Sequence, residues 1–138
     1  MAQRSPPEFN VEFARRGYEA FNDGGVEAML AFLEPGIEWV SLAPAPLAGT
    51  YHGHEGVRSF FDTLFSLFEG VRIDPDEFIP VGDEYVLVFL RIWARGKGTR
   101  VEGEAPVAML WKVGETGAAQ VRLFYNRDEA LEAAGLKK

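Results

Sequence analysis

Residues 81–135 read VGDEYVLVFLRIWARGKGTRVEGEAPVAMLWKVGETGAAQVRLFYNRDEALEAAG. Three β-type runs, at 85–95, 101–113 and 119–125, are separated by short glycine-bearing turns at 96–100 and 114–117. Aromatic and β-branched residues recurring at period two between such turns predict an antiparallel meander. The run closes on Phe124-Tyr125-Asn126-Arg127-Asp128-Glu129-Ala130-Leu131, where Asn126 with Glu129 three positions on predicts a helix cap. The helix it opens should end at Gly135.

The first of these strands is apolar on both sides. Val86, Val88, Leu90 and Ile92 face one way, and Tyr85, Leu87, Phe89 and Trp93 the other. An antiparallel sheet with one wet face alternates apolar and polar residues, so both sides here need cover. Helices supply one cover. A second subunit is the simplest source of the other, which predicts a homodimer through the outer sheet face.

Upstream, Ser5-Pro6-Pro7-Glu8 predicts a helix start, with a Ser cap, Pro in the first turn and Glu three residues beyond the cap. Phe9, Phe13, Gly17 and Phe21, flanked by Ala14 and Tyr18, form one apolar stripe. Asn22-Asp23-Gly24-Gly25 should break this helix. A short second one follows, carrying Val26, Met29, Leu30 and Leu33 and stopped by Pro35-Gly36. Residues 37–42 read as a strand with Trp39, residues 43–48 as a proline-rich loop, and Tyr51-His52 as a short strand. A third helix opens at Gly53-His54-Glu55, with Val57, Phe60, Phe61, Leu64 and Phe68 on one face and Gly70 as its expected C-cap. Residues 71–81, interrupted by Pro75 and Pro80, predict an edge or bulged strand.

With 138 residues, 47% of them hydrophobic, the chain fits one domain spanning 1–138. A net charge of -7 argues against nucleic acid, whose binding needs clustered cations. Arg91, Arg95, Lys97 and Arg100 gather near one hairpin, but Glu102 and Glu104 follow at once, as in a solvated turn. The absence of Cys excludes disulfides and thiolate metal sites. No apolar run approaches the roughly 20 residues of a membrane span. Pro6, Pro7 and Glu8 stand where a signal peptide needs an apolar core, so a cytoplasmic location is expected.

Three N-terminal helices, a Pro-rich loop, Tyr51-His52-Gly53-His54-Glu55-Gly56-Val57 opening the third helix, and the long meander resemble the nuclear-transport-factor-two-like cone fold. The closing segment is most similar to its SnoaL-like branch. The resemblance implies an α+β cone, in which a curved antiparallel or mixed sheet wraps three N-terminal helices and a short helix closes the chain. Ketosteroid isomerases, polyketide cyclases and limonene epoxide hydrolases share this superfamily, so fold alone does not choose a chemistry. By resemblance, the isomerase's helix-one tyrosine falls on Gly17, its base on Ser41, its protonated aspartate on Ala108 and a supporting tyrosine on Phe61. None of those groups is present. The cyclases' last-strand aspartate falls on Asn126, and an amide cannot take up a proton at neutral pH.

The remaining candidates depend on register. Pairing Val113 with Ala118 brings Ala108 opposite Leu123 and Pro106 opposite Tyr125, so Glu104, Pro106, Ala108 and Leu110 should face inward with Val121, Leu123 and Tyr125. A one-residue slip reverses the faces. In this register Glu104 enters an apolar hollow, where desolvation suits a carboxyl to proton transfer. In the other it is a solvated charge at the rim. His52 and Tyr18 are the candidates for orienting a substrate or stabilising charge. The histidine pair His52 and His54 lacks further patterned ligands, so no metal is expected, and no cofactor motif is present. His54 is expected to face solvent, Asn126 to act as a cap, and Trp93, Trp111, Met109 and Arg122 to lie on the outer face.

The expected pocket comprises Phe21, Trp39, Phe60, Phe61, Leu64, Leu90, Pro106, Ala108, Leu123 and Tyr125. A small hydrophobic organic molecule is its expected occupant. Two uses stay open. One is cofactor-free acid/base catalysis of the isomerase, cyclase, dehydratase or epoxide hydrolase type. The other is a non-catalytic ligand-binding or dimeric assembly module.

Overall fold

The computed structural model describes residues 5–99 and 101–136. Its elements are α1 (Pro6–Leu30), β1 (Leu33–Ser41), β2 (Gly49–His52), α2 (Gly53–Leu67), β3 (Phe68–Val81), β4 (Tyr85–Gly96), β5 (Glu102–Val113), β6 (Ala118–Phe124) and α3 (Arg127–Ala133). One curved mixed sheet runs in the order β2-β1-β6-β5-β4-β3. Among the described residues β1 and β6 pair in parallel and the other ladders are antiparallel. Arg100, in the predicted 96–100 turn, lies outside the described residues.

The helix signals act as read, with three adjustments. Ser5 caps α1, accepting from the Glu8 N–H, and Pro follows in the first turn. The two predicted N-terminal helices form one element kinked at Gly25, whose φ of 79° and ψ of -163° interrupt the helical path. Leu33 belongs to β1 rather than to a helix. Pro35 and Gly36 lie inside that strand, where the β1–β6 pairing jumps from Leu33–Ala118 to Glu38–Gln120, an irregularity that accommodates a residue without an N–H. Gly70 does not cap α2, which ends with Phe68 in extended conformation. Gly70 has φ +67° and sits in β3 where the ladder with β4 shifts register between Glu69 and Arg72. A left-handed glycine serves a bulge as well as it serves a cap.

The decisive departure is between β5 and β6. Val113 does pair with Ala118, but Lys112 pairs with Gln120, so Ala119 is skipped. From there the ladder runs Trp111–Val121, Met109–Leu123 and Ala108–Phe124. This bulge corrects the expected facing of β5. Val107, Met109 and Trp111 join the core beneath the helices, whereas Ala108 and Leu110 lie on the opposite face. By strand alternation Pro106 and Glu104 share that outer face. Trp111, expected outside, is fully buried inside, and Met109 lies inside with it.

The inner face carries the main core. On α1, Ala14, Gly17, Tyr18 and Phe21 are buried, and a Cβ placed on Gly17 would stand 2.8 Å from Trp111 Cη2. The missing side chain is what admits the indole. Trp111 Nε1 donates to the Tyr18 hydroxyl at 2.7 Å, and that hydroxyl donates to Met109 Sδ at 3.1 Å. Asn22, expected as a helix breaker, also ties α1 to β3. Its amide donates to the Ile73 carbonyl at 2.7 Å, and its oxygen accepts from the Ile73 N–H at 3.2 Å.

Part of the second apolar face of β4 is covered within the chain. Leu87, Phe89, Ala108 and Leu110 pack with Phe124 and with Ala130 of α3, and the Arg127 guanidinium lies 4.1 Å over the Phe89 ring. Asn126 caps this helix as expected, accepting from the N–H groups of Asp128 and Glu129. Farther along the same face the sheet is charged: Arg91 pairs with Asp76 and Glu104, Arg95 with Glu69, and Arg72 with Asp74. Leu87 and Phe89 are thus buried without a second subunit, whereas Trp93 on the same face stays half-buried.

The contact at Gly17 is testable. Gly17→Ala forces a methyl against a fully buried ring and should destabilise the fold by about 1–3 kcal/mol. Urea unfolding should report this as a lower midpoint at unchanged slope; an unchanged midpoint would mean that Trp111 is free to move aside.

Candidate functional site

Between α2 and the widening end of the sheet lies a hollow of about 380 Å³. Phe60, Phe61 and Leu64 of α2 form one wall, because their spacing places them on the helix face turned to the sheet. Val71 and Ile73 of β3, Ile92 and Ala94 of β4, and Ala105, Val107 and Met109 of β5 form the opposite walls. Leu123 and Tyr125 close a third side, and Leu47 reaches in from the loop after β1. Glu102, Glu104 and Tyr125 are the titratable residues among the described lining, and all three are exposed near the mouth.

Five expected pocket residues border this space: Phe60, Phe61, Leu64, Leu123 and Tyr125. Phe21 and Trp39 sit one layer behind, with ring centroids 5.3 Å from Phe61 and 5.5 Å from Phe60 respectively. Leu90 points inward but belongs to the packed core beside Val107. Pro106 and Ala108 are corrected to the outer face by the Ala119 bulge. Val107 and Met109 take the places expected for them. The signal for these two was in the sequence: Val107, Met109, Trp111 and Val113 are uniformly apolar at period two, whereas the alternate set contains Glu104, Pro106 and Lys112.

The three polar candidates do not converge. Glu104 is not a desolvated acid: its side chain is 45% exposed and its carboxylate is 3.1 Å from the Arg91 guanidinium, which also holds Asp76. Tyr18 is 1% exposed, and its hydroxyl is already engaged by Trp111 and Met109. Burial raises its pKa well above the usual phenol range, an effect only partly opposed by the Trp111 hydrogen bond. His52 is exposed at the start of α2, without a capping bond, and pairs across the ladder with Glu38 at the far edge of the sheet. His54, expected to face solvent, is half-buried. Its Nε2 lies 2.9 Å from the Leu33 carbonyl, an acceptor only, so that nitrogen carries the proton and ties α2 to β1.

The positions taken over by resemblance are equally occupied by structural roles. Gly17 receives Trp111, and Ser41 is buried with its hydroxyl accepting from the Ala43 N–H at 3.3 Å. Phe61 is wall, and Asn126 is a cap. Among the described residues no group of three His, Cys, Asp or Glu is placed to hold a metal ion, and no helix is long and apolar enough to cross a membrane.

A curved mixed sheet with helices on its concave side and a short closing helix defines the α+β cone of nuclear-transport-factor-two-like proteins. Within that class, the SnoaL-like domain family matches residues 14–121, and the chain belongs to it. An NTF2-like protein of unknown function from Burkholderia pseudomallei is similar, with 24% identity, TM-score 0.76, and 94% of this chain and 97% of that one covered. TerC, co-crystallised with polyporic acid, is similar at 24% identity, TM-score 0.75, and 95% and 99% coverage. A protein of ketosteroid isomerase-like fold from Catenulispora acidiphila, in complex with trimethylamine, gives 17%, 0.72, and 91% and 93%. At these identities the likeness establishes the fold. A comparison with curated proteins finds no match.

The state of Tyr18 has a pH signature. An unfolded tyrosine loses its proton near pH 10, while the raised folded value keeps Tyr18 neutral there. Its contribution to stability is thus complete below that pH and falls as pH rises above it. Of the four tyrosines, Tyr18 should stay un-ionised in an absorbance titration until the protein unfolds. Tyr18→Phe should flatten the alkaline decline while costing about 1–3 kcal/mol at neutral pH, because Trp111 loses its acceptor. A phenolate signal from all four tyrosines of the folded protein would contradict this.

Proposed function

We propose that this SnoaL-like domain binds a small, largely apolar organic molecule in the hollow under α2, and that it acts by binding rather than by acid/base chemistry. One observation carries the reading: about 380 Å³ of space walled by aliphatic and aromatic side chains, with its carboxylates confined to the mouth. Sites of this size and lining suit drug-sized apolar ligands. The catalytic alternative is less favoured, because Glu104 is held by Arg91, Tyr18 by Trp111 and Met109, and His52 lies at the far sheet edge. A proton-transfer group must reach within hydrogen-bond distance of its substrate, and none of the three borders the deep end. Two proteins of similar fold, TerC and the Catenulispora protein, were crystallised with polyporic acid and with trimethylamine, which is consistent with small organic ligands.

A ligand of naphthalene size that buries roughly 250 Å² of apolar surface gains about 6 kcal/mol before association costs, so its dissociation constant should lie between a tight limit of about 40 µM and about 1 mM. Titration with the neutral fluorescent probe N-phenyl-1-naphthylamine should therefore give saturable enhancement in that range. Val107→Phe fills the hollow and should weaken binding at least about tenfold, whereas Glu104→Gln should leave it within about twofold. Absence of saturable binding to the wild type, or equal binding by Val107→Phe, would defeat the reading.

A further inference from the structure

Buried polar groups in this fold are matched with care. The Trp111 indole bonds to Tyr18, Asn10 donates to the Asp83 carbonyl, and Ser41 accepts from the Ala43 N–H. Trp39 is one of two exceptions among the described residues. It is 1% exposed, and its single polar atom, Nε1, has no partner among the described residues. The other buried atom without a partner, Arg122 Nε, belongs to a half-buried guanidinium on the outer face. An indole N–H in a dry interior finds an acceptor in most folds, so this orphan calls for one.

Its position says from where. The Trp39 ring stands 5.5 Å from Phe60 and 5.6 Å from Phe61, centroid to centroid, and both of those rings border the hollow. Trp39 pairs with Val121, and Ser41, two residues along, pairs with Leu123, another wall residue. The indole is thus one ring's thickness behind the wall. Phe60 is the partition on that side, and its ring also meets that of Tyr51, which is half-buried, at 5.4 Å. The described lining contains no cationic side chain, so a buried anion would find no counter-charge.

We infer that the Trp39 indole N–H is the deep recognition donor of this site, exposed by a swing of the Phe60 ring, for an apolar ligand that carries a neutral oxygen acceptor such as a ketone. The inference rests on the binding reading given above and narrows its ligand class.

The test uses two ligands of one shape, 2-acetylnaphthalene and 2-isopropenylnaphthalene, which differ in a carbonyl oxygen against a methylene. Calorimetric titration of the wild type should favour the ketone by about three- to tenfold, the scale of one net hydrogen bond. In ¹H–¹⁵N spectra the Trp39 indole signal, assigned by its loss in Trp39→Phe, should move downfield with the ketone and not with the alkene. Trp39→Phe should bind both equally. Equal affinities in the wild type with an unmoved Trp39 signal would overturn the inference and leave the binding reading standing. Failure of both ligands, together with failure of the phenylnaphthylamine probe, would overturn both. The wild-type spectra decide the matter even if Trp39→Phe folds poorly.

Discussion

One skipped residue in the β5–β6 ladder governs what this molecule holds inside. Because side chains alternate along a strand, leaving Ala119 of β6 out between Val113–Ala118 and Lys112–Gln120 changes which row of β5 shares a side with Val121 and Leu123. Trp111 is thereby turned under α1, where only a glycine leaves room for it, and its N–H meets the Tyr18 hydroxyl. Val107 and Met109 become wall of the hollow, and Glu104 is carried out to Arg91. Core, cavity and surface charge are consequences of the same local irregularity.

The two faces of the sheet are protected by different means. Inside, α1 and α2 bury a continuous aromatic and aliphatic layer in which Trp39, Phe60 and Phe61 pack at ring separations of 5.2–5.6 Å. Outside, α3 covers the apolar half around Leu87 and Phe89, and opposite charges placed on neighbouring strands keep the other half wet. Such exposed pairs add little stability individually, but they make the uncovered half compatible with water. An apolar strand therefore does not by itself demand a second subunit.

Most of the architecture was readable in the residues because its signals are local. Ser5-Pro6, Gly53 and Asn126 mark helix starts, and the prolines of β3 mark an irregular edge. The alternation from Tyr85 to Trp93 fixes which residues share a face, and Val86, Val88, Leu90 and Ile92 do point to the helices. The candidate site was less legible, because it depends on a long-range register. Turn residues 114–117 give the correct first pair, Val113–Ala118, yet carry no sign that Ala119 will be left out. Weighing the whole strand would have exposed the conflict: the bulky row Val107, Met109, Trp111 and Val113 is the costlier one to leave in water. Similarly, Gly70 and Pro35-Gly36 punctuate the chain where expected, but they serve bulges rather than ends, a distinction made by the neighbouring strand.

β3 has a further consequence. It is a 14-residue strand at the open margin of the sheet, a length that offers foreign chains a template for stacking. Pro75 and Pro80 each delete a donor from that margin, and the ladder shifts at Glu69–Arg72 and Pro75–Glu77 bend it out of flatness. Arg72, Asp74, Asp76 and Glu77 line it with charge. The irregularities that make this strand hard to read also act as a guard against fibrous self-association, and smoothing them in an engineered variant would trade local order for a sticky border.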